Sequence, residues 1–360
     1  MIMSRLEAGG PGEHDPRGPS GHTARMKIPA SELQSLVEQV LAHHGVAFTR
    51  APLLAATIVA AERDGSRSHG LQRLAGYVSS LSSGWVDGAA EPVVHEAGPG
   101  LLKVDAGNGF AQVALAQAAP QLRAMAAAHG SATLTTANGH HFAGLWPDIE
   151  PLAADGYIAL TMVNTRAHMA VWQGTRKVLG TNPMAFACPR RSALPVVWDQ
   201  ASSVMSQGDV LLASAAKRPL PAGVGVDASG KATTDPDAVL KGGALLPYGG
   251  IKGGSLAFMI EVLATLGGAR FGFEDESARS PGAVTSNAGQ FLLLIDPRRF
   301  GDGFLDRIEA LIEQLRDAGT GRLPGDLRYE RRRVAERDGV EVSPDMHEYL
   351  TRKGRHVSAA

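Results

Sequence analysis

The chain has 360 residues, 44% of them hydrophobic and 20% charged, with a formal net charge of −1 at pH 7. That size and balance belong to a globular protein with a large core and two or three subdomains, and the near-zero charge leaves no footprint for nucleic acid or an anionic membrane. The lone cysteine, Cys188, excludes a disulfide framework and fits a reducing, cytoplasmic compartment; no apolar run approaches the roughly 18 residues of a membrane span.

Residues 1–26 contain five glycines and three prolines and no hydrophobic segment. They read as a disordered extension rather than a secretory signal. The first helix opens at Ser31, where Ser31-Glu32-Leu33-Gln34 matches a capping box, and continues through Leu33, Leu36, Val37, Val40 and Leu41 to Gly45. A second runs from Thr49, with Pro52 in its first turn, to Asp64. Directly after it comes Gly65-Ser66-Arg67-Ser68-His69-Gly70-Leu71-Gln72-Arg73-Leu74. Helix resumed after Gly70 sets Arg73 four residues from His69 on one face, so that a proton donor and an anion clamp share one space. The bland alternative is a polar turn with solvated charges.

Residues 93–94 and 101–105 read as short strands. Gly107-Asn108-Gly109-Phe110-Ala111-Gln112 then opens an alanine-rich helix. It looks like the start of a dinucleotide fingerprint, but Gln112 replaces the third glycine. No Asp or Glu occurs between residues 106 and 147 to hold a ribose, so the fingerprint is rejected. A threonine-rich strand over 131–138 leads into His140-His141. Adjacent histidines diverge on most backbones and no ligand spacing accompanies them, so no metal is expected.

Strands follow at 157–164, 184–188 and 195–199, the last ending on Asp199 before the small polar residues Ser202 to Asp209. Residues 217–237 read as a surface loop. Gly249-Gly250-Ile251-Lys252-Gly253-Gly254 precedes a helix expected from Leu256 to about Leu266, a setting that suits a phosphate or carboxylate. Another strand spans 290–295. Phe304, Ile308, Leu311 and Leu315 form the face of an amphipathic helix closed by Gly319. The basic run from Arg322 to Arg333 is either a solvated face or a clamp for a phosphorylated cofactor. A last helix starts at Pro344, capped by Ser343.

Taken together, Ser68-His69-Gly70 with Arg73 and Tyr77, the block from His141 to Pro147, Leu179-Gly180-Thr181-Asn182-Pro183, the Gly-Gly-x-Lys-Gly cluster at 249–253 and the Leu-Pro-Gly turn at 323–325 resemble the malate/L-lactate dehydrogenase family of nicotinamide-dependent oxidoreductases. Within it, the segments 145–152, 206–210 and 221–227 are most similar to the delta-1-piperideine-2-carboxylate/delta-1-pyrroline-2-carboxylate reductase branch. The resemblance implies an α/β (α+β) fold unlike the Rossmann dehydrogenases, a mostly antiparallel mixed sheet flanked by helices. It also implies an N-terminal helical subdomain over 27–88, a central sheet domain over 89–300 and a cofactor-contacting tail over 301–360. The implied activity is NADPH-dependent reduction of the two cyclic imine acids to L-pipecolate and L-proline, by a homodimer.

By position, the resemblance implies a catalytic relay of Ser68, His69 and Asp209, with substrate held by Arg73, Thr181, Gln207 and Gly208. The cofactor would be lined by His141, Phe142, Ala143, Gly144 and Leu145; by Asp199, Gln200 and Ala201; by Gly250, Ile251 and Lys252; and by Gly325, Asp326, Leu327, Arg328, Tyr329, Glu330 and Arg331. Ile251 stands where the reductases commonly carry histidine, and Ser280 opens a Ser-Pro-Gly where His-Pro-Gly is usual. Asp209 beside the Ser68–His69 pair would favour a cationic ring nitrogen, and Arg73 offers a fork to a carboxylate. A 2-hydroxy acid dehydrogenase of the same fold, or a silent nucleotide-binding scaffold, are the competing readings.

Overall fold

The computed structural model describes residues 25–354, so residues 1–24 of the extension lie outside the described residues. The first half of the chain forms β1 (Met26–Ile28), α1 (Ala30–His43), α2 (Ala51–Arg63), α3 (Leu74–Ser82), β2 (Val93–Gly98), β3 (Leu101–Asp105), α4 (Ala111–His129), β4 (Ser131–His140), α5 (Trp146–Ala154) and β5 (Ile158–Val163). The second forms β6 (Met184–Cys188), β7 (Val196–Gln200), α6 (Gln207–Ala215), β8 (Gly225–Val226), β9 (Ala232–Thr233), α7 (Pro236–Leu240), β10 (Ala244–Leu245), α8 (Ile251–Thr265), β11 (Asn287–Ile295), α9 (Phe304–Asp317), α10 (Asp326–Asp338), β12 (Val340–Val342) and α11 (Pro344–Gly354).

The central sheet has seven strands in the order β2-β3-β4-β11-β5-β6-β7. Its neighbours pair antiparallel except β3 and β4, which are parallel and joined through α4. Leu102, Leu134, Leu292 and Leu294 point to one face and are buried with Leu122 of α4 and Ile149 of α5. Each such side chain contributes on the order of 2 kcal/mol on burial. A second apolar cluster joins Leu33, Val37, Val40 and Leu41 of α1 to Leu54 and Ile58 of α2, Tyr77 of α3, and Val340, Val342 and Leu350 near the C-terminus. β1 pairs antiparallel with β12, so Met26, counted in the expected extension, lies in a strand.

Several local expectations are corrected. Gln34 does not close a capping box: α1 begins a residue early at Ala30, and the Gln34 amide donates to Glu38 at 2.8 Å. Residues 217–237 are not a bare loop, because β8 is the middle strand of a small sheet with β9 and β10 that shelters Met169, Val210 and Val224. On α9 the inward residue is Ile312, whereas Leu311 and Leu315 are exposed. Arg190 grips Glu309 through two hydrogen bonds of 3.1 and 2.6 Å and turns the 309/312 side inward.

α8 starts at Ile251, five residues earlier than expected. Gly249 and Gly250 make the turn at φ +59° and +61°, and Gly253 and Gly254 lie inside the first helical turns. A Cβ on Gly253 would collide with the Tyr248 carbonyl, and one on Gly254 would sit 3.1 Å from the Trp172 indole nitrogen. Those glycines serve close packing, not only a ligand.

Candidate active site

The Ser68–His69 stretch is not resumed α-helix. It is two 3-10 turns, Arg67–His69 and Leu71–Arg73, hinged at Gly70. A side chain at Gly70 would strike Glu62, whose carboxylate accepts the Leu71 N–H at 3.0 Å. Tight turns bring Arg73 back over its own start: its Nε donates to the Ser68 carbonyl at 2.7 Å. The guanidinium carbon lies over Phe142, 4.4 Å from the ring centre, and Phe142 packs edge-on against buried Tyr77. Gly208, at the start of α6, closes the group. A Cβ there would fall 2.7 Å from Arg73 Nη2 and 3.2 Å from Ser68 Cβ.

Within this group Ser68 Oγ lies 3.2 Å from His69 Nδ1. Loss of hydration, then the Arg73 charge and His141, push the His69 pKa down to about 3. Burial likewise lowers the pKa of Arg73, while Tyr77 and Asp209 raise it. The imidazole is therefore neutral near pH 7 and Arg73 remains the cation.

Among the described residues Asp209 makes no hydrogen bond to the pair. Its side chain is exposed and accepts from Ser206 Oγ at 2.7 Å, while its backbone N–H donates to the same hydroxyl, so that Ser206 caps α6. The helix cap holds the carboxylate on Ser206 in place of the hydrogen bond expected with Ser68 and His69. Its charge acts on Arg73 instead.

A second group gathers around Asp199, which is held at the end of β7. One of its oxygens accepts the N–H groups of Leu145 at 2.6 Å and Trp146 at 3.1 Å, capping α5 from across the fold. Burial raises its pKa, against those two hydrogen bonds and Arg328. A side chain on Gly144 would press on the same carboxylate. Ala143 and Leu145 are buried beside it. His141 Nε2 lies 2.8 Å from Asp148.

Arg328 stacks 5.0 Å from the Trp146 ring and donates to the Val197 carbonyl at 2.6 Å. Tyr329 is buried, its hydroxyl on the Pro195 carbonyl. Gly325 takes φ +98° against Val197, and the Asp326 carboxylate folds back to the Leu323 N–H. The basic run is thus divided. Arg332 is spent on Asp64 and Glu150, Arg328 on Trp146 and Val197, and Arg331 remains exposed over Gly65. Leu327 and Glu330 are exposed too.

The link between the groups is the segment after β7. Gln200 donates to the Tyr248 hydroxyl at 3.2 Å, and past Ala201 the Ser202 N–H bonds the Thr181 carbonyl at 2.8 Å. Thr181 is nearly buried against Thr165. Gly250 has open space where a Cβ would be, and Ile251 and Lys252 are exposed at the same turn. By contrast, the rejected fingerprint turn is filled by its own bonds, with Asn108 tied to His140 at 2.9 Å and to Asn287 at 3.1 Å.

A model of the malate/L-lactate dehydrogenase family matches residues 28–351. The chain belongs to that family. It is 47% identical over 321 residues to a Pseudomonas putida protein named Delta(1)-pyrroline-2-carboxylate/Delta(1)-piperideine-2-carboxylate reductase, covering 88% of this chain and 94% of that one. It is 38% identical over 307 residues to a (2R)-3-sulfolactate dehydrogenase (NADP(+)) of Chromohalobacter salexigens, covering 85% and 92%. The crystal structure of delta1-piperideine-2-carboxylate reductase from Pseudomonas syringae superposes with a TM-score of 0.89 at 44% identity, over 91% of this chain and 99% of that one. The family's mixed α/β build, a central mixed sheet flanked by helices, is the one described above.

Sequence reasoning missed two features. Trp146 emerges as the ring on which Arg328 stacks, and Arg166 and His168, just past β5, line a cavity beside Gln207. The signal for the second was a pair of basic residues at a strand end, the position already given weight at β7.

Proposed function

We propose that the chain reduces the cyclic imine acids delta-1-piperideine-2-carboxylate and delta-1-pyrroline-2-carboxylate to L-pipecolate and L-proline, using NADPH. The observation that carries this is the neutral His69 held with Ser68 beside an Arg73 fixed on the Ser68 carbonyl and over the Phe142 ring. Arg73 presents its free edge to the substrate carboxylate, with the Thr181 hydroxyl as a further donor. A neutral imidazole accepts a hydrogen bond from a protonated ring nitrogen without repelling it. His69 and Ser68 therefore hold the proton on that nitrogen, rather than His69 delivering one as imidazolium. Asp209 adds a negative charge at the rim that favours a cationic ring and steadies Arg73.

The residues present fit a phosphate-bearing nicotinamide cofactor. Among the described residues, Trp146 Nε1 and Arg328 Nε are enclosed without a hydrogen-bond partner and exposed Arg331 has no acid bound to it, and Gly249 and Gly250 leave open backbone at the head of α8. Bound there, the nicotinamide supplies the hydride. Arg331 and Lys252 would take the phosphates, Asp199 keeps the His141–Leu145 segment in place, and the extra phosphate of NADPH is the reason for preferring it over NADH. Replacing Arg331 by Gln is expected to lower the NADPH-to-NADH ratio of kcat/KM at least about tenfold.

We also read the fold as distinct from the Rossmann dehydrogenases, with the first helices as a subdomain, and the molecule as a cytoplasmic homodimer. Exposed Phe258 and Val262 on α8 and Leu266 at its C-cap, with the Trp172 ring tilted against Phe258, make an apolar face suited to a second copy. Phe258→Glu should halve the mass measured by light scattering.

The deciding assay follows absorbance of NADPH and NADH with purified protein and each cyclic imine, pyruvate and oxaloacetate. Faster turnover of the keto acids would select the 2-hydroxy acid dehydrogenase reading.

A further inference from the structure

Glu261 lies on α8 and is only 3% exposed, yet among the described residues its two oxygens meet N–H donors and no cation. Oε1 accepts from Asn164 Nδ2 at 3.0 Å and from the Gly272 N–H at 2.6 Å, and Oε2 accepts from Asn182 Nδ2 at 2.6 Å. Both amides are fixed in orientation from their other end. Asn164 Oδ1 accepts the Gly289 N–H at 2.8 Å, and Asn182 Oδ1 the Thr165 N–H at 3.2 Å. The second amide hydrogens go to the Arg270 carbonyl at 2.8 Å and the Ala257 carbonyl at 2.9 Å. An acid enclosed without a cation is costly, and an apolar side chain of the same size would fill the space at less cost. What the acid does there is hold three separate segments on one helix.

One of these segments is Leu179-Gly180-Thr181-Asn182-Pro183. Asn182 is fully buried at φ +37°, a left-handed conformation that is costly for a residue with a side chain and that a following proline disfavours further. Two ties to α8, at Ala257 and Glu261, keep it there. On the other side of Thr181, a Cβ on Gly180 would fall 2.2 Å from Thr165 Oγ1 and 2.5 Å from Asn182 Oδ1. The Thr181 backbone is bonded at both ends: its N–H donates to Thr165 Oγ1 at 3.0 Å, and its carbonyl accepts the Ser202 N–H at 2.8 Å. The direction of its hydroxyl is thus set by the turn, and the turn is set by α8.

We propose that Glu261 is a positioning residue for the reaction: through Asn182 it keeps the strained turn that aims the Thr181 hydroxyl at the substrate carboxylate. The assignment rests on the role given to Thr181 above and adds to it a group that touches neither substrate nor cofactor. α8 opens on the turn assigned above to the cofactor, so one helix carries that turn at its head and the Thr181 loop on its side. A glutamine at 261 could not do the same, because its amide nitrogen would meet an N–H donor where the carboxylate offers an acceptor.

The test is a double-mutant cycle on the full chain, with whichever imine or keto acid the parent turns over fastest as substrate. The readouts are KM, kcat and NADPH affinity by fluorescence titration. Thr181→Val is expected to raise KM about tenfold or more, the loss of one hydrogen bond to a charged group. Glu261→Gln is expected to raise KM by a similar factor of about ten, with kcat and NADPH affinity close to those of the parent. In the Glu261→Gln background, Thr181→Val should then add less than about threefold, because the hydroxyl no longer points at the carboxylate. Asn182→Gly keeps the left-handed turn open to the backbone while cutting its tie to Glu261, and it decides by the same two results should Glu261→Gln fail to fold. A merely structural acid would lower the urea midpoint and leave the two effects on KM multiplying. A parent-like KM in folded Glu261→Gln, a Thr181→Val penalty that stays whole in both backgrounds, or a joint fall of kcat and NADPH affinity would overturn the proposal. Because the cycle follows whichever acid reacts, failed imine reduction leaves it standing, and a failed cycle leaves the cyclic imine assay untouched.

Discussion

Arg73 lies over Phe142 with its guanidinium carbon 4.4 Å from the ring centre, while its Nε is fixed on the Ser68 carbonyl. One edge of the fork is used by the protein and the face is covered by the ring, which leaves the Nη edge for a ligand. A lysine could neither lie flat nor offer two parallel donors. Arg73→Lys is expected to lower kcat/KM for the cyclic imines about 10- to 100-fold, the loss of one or two charge-assisted hydrogen bonds. The effect should fall mainly on KM, with NADPH affinity unchanged by fluorescence titration. A parent-like KM would remove Arg73 from the carboxylate.

The depressed pKa of His69 fixes the shape of the pH profile. With a folded value of about 3 against an ordinary 6.5, the ring takes up no proton as pH falls from 8 to 5. The free-enzyme profile of kcat/KM should therefore show no His69 limb in that window, and any alkaline loss should track deprotonation of the imine substrate. A limb with its midpoint near 6.5 that vanishes in His69→Gln would show the imidazole delivering the proton itself.

Asp209 distinguishes a relay from a neighbouring charge. Because it is exposed and bound to Ser206, Asp209→Asn should reduce kcat/KM only about three- to tenfold, as screened electrostatics at a rim would. A loss on the order of a thousandfold, measured at saturating NADPH, would mean that the carboxylate swings onto the Ser68–His69 pair in the complex.

Stability should hinge on Arg332. Its guanidinium bridges fully buried Asp64 and nearly buried Glu150, and its central carbon lies 5.6 Å from the Trp146 ring centre and 5.1 Å from that of Tyr329. Arg332→Met leaves two carboxylates facing each other, with Arg63 still on Asp64. The expected cost is about 3 kcal/mol, read as a lower denaturation midpoint in urea. The NADPH-to-NADH ratio should stay near that of the parent, since Arg332 has no free edge. A changed ratio with unchanged stability would reverse the roles given to Arg331 and Arg332.

The sequence by itself determined the identity of the elements and of the residues that carry chemistry. Periodicity located α1, α2 and the strands of the central sheet, because apolar spacing is a local property. Ser343 as the cap of α11 was legible for the same reason. Gln112 and the missing acid spoke against a dinucleotide fingerprint at 107–112 without coordinates. What only the tertiary structure decided is who answers whom across the chain. Asp199 capping α5, Arg332 turned inward while Arg331 faces out, Asp209 held by its own helix cap, and Arg166 settled on His168 and Ser277 are all outcomes of competition. A charged group has several partners within reach, and burial, register and helix direction choose among them. Spacing along the chain carries no information about that choice, because these partners lie up to 268 residues apart.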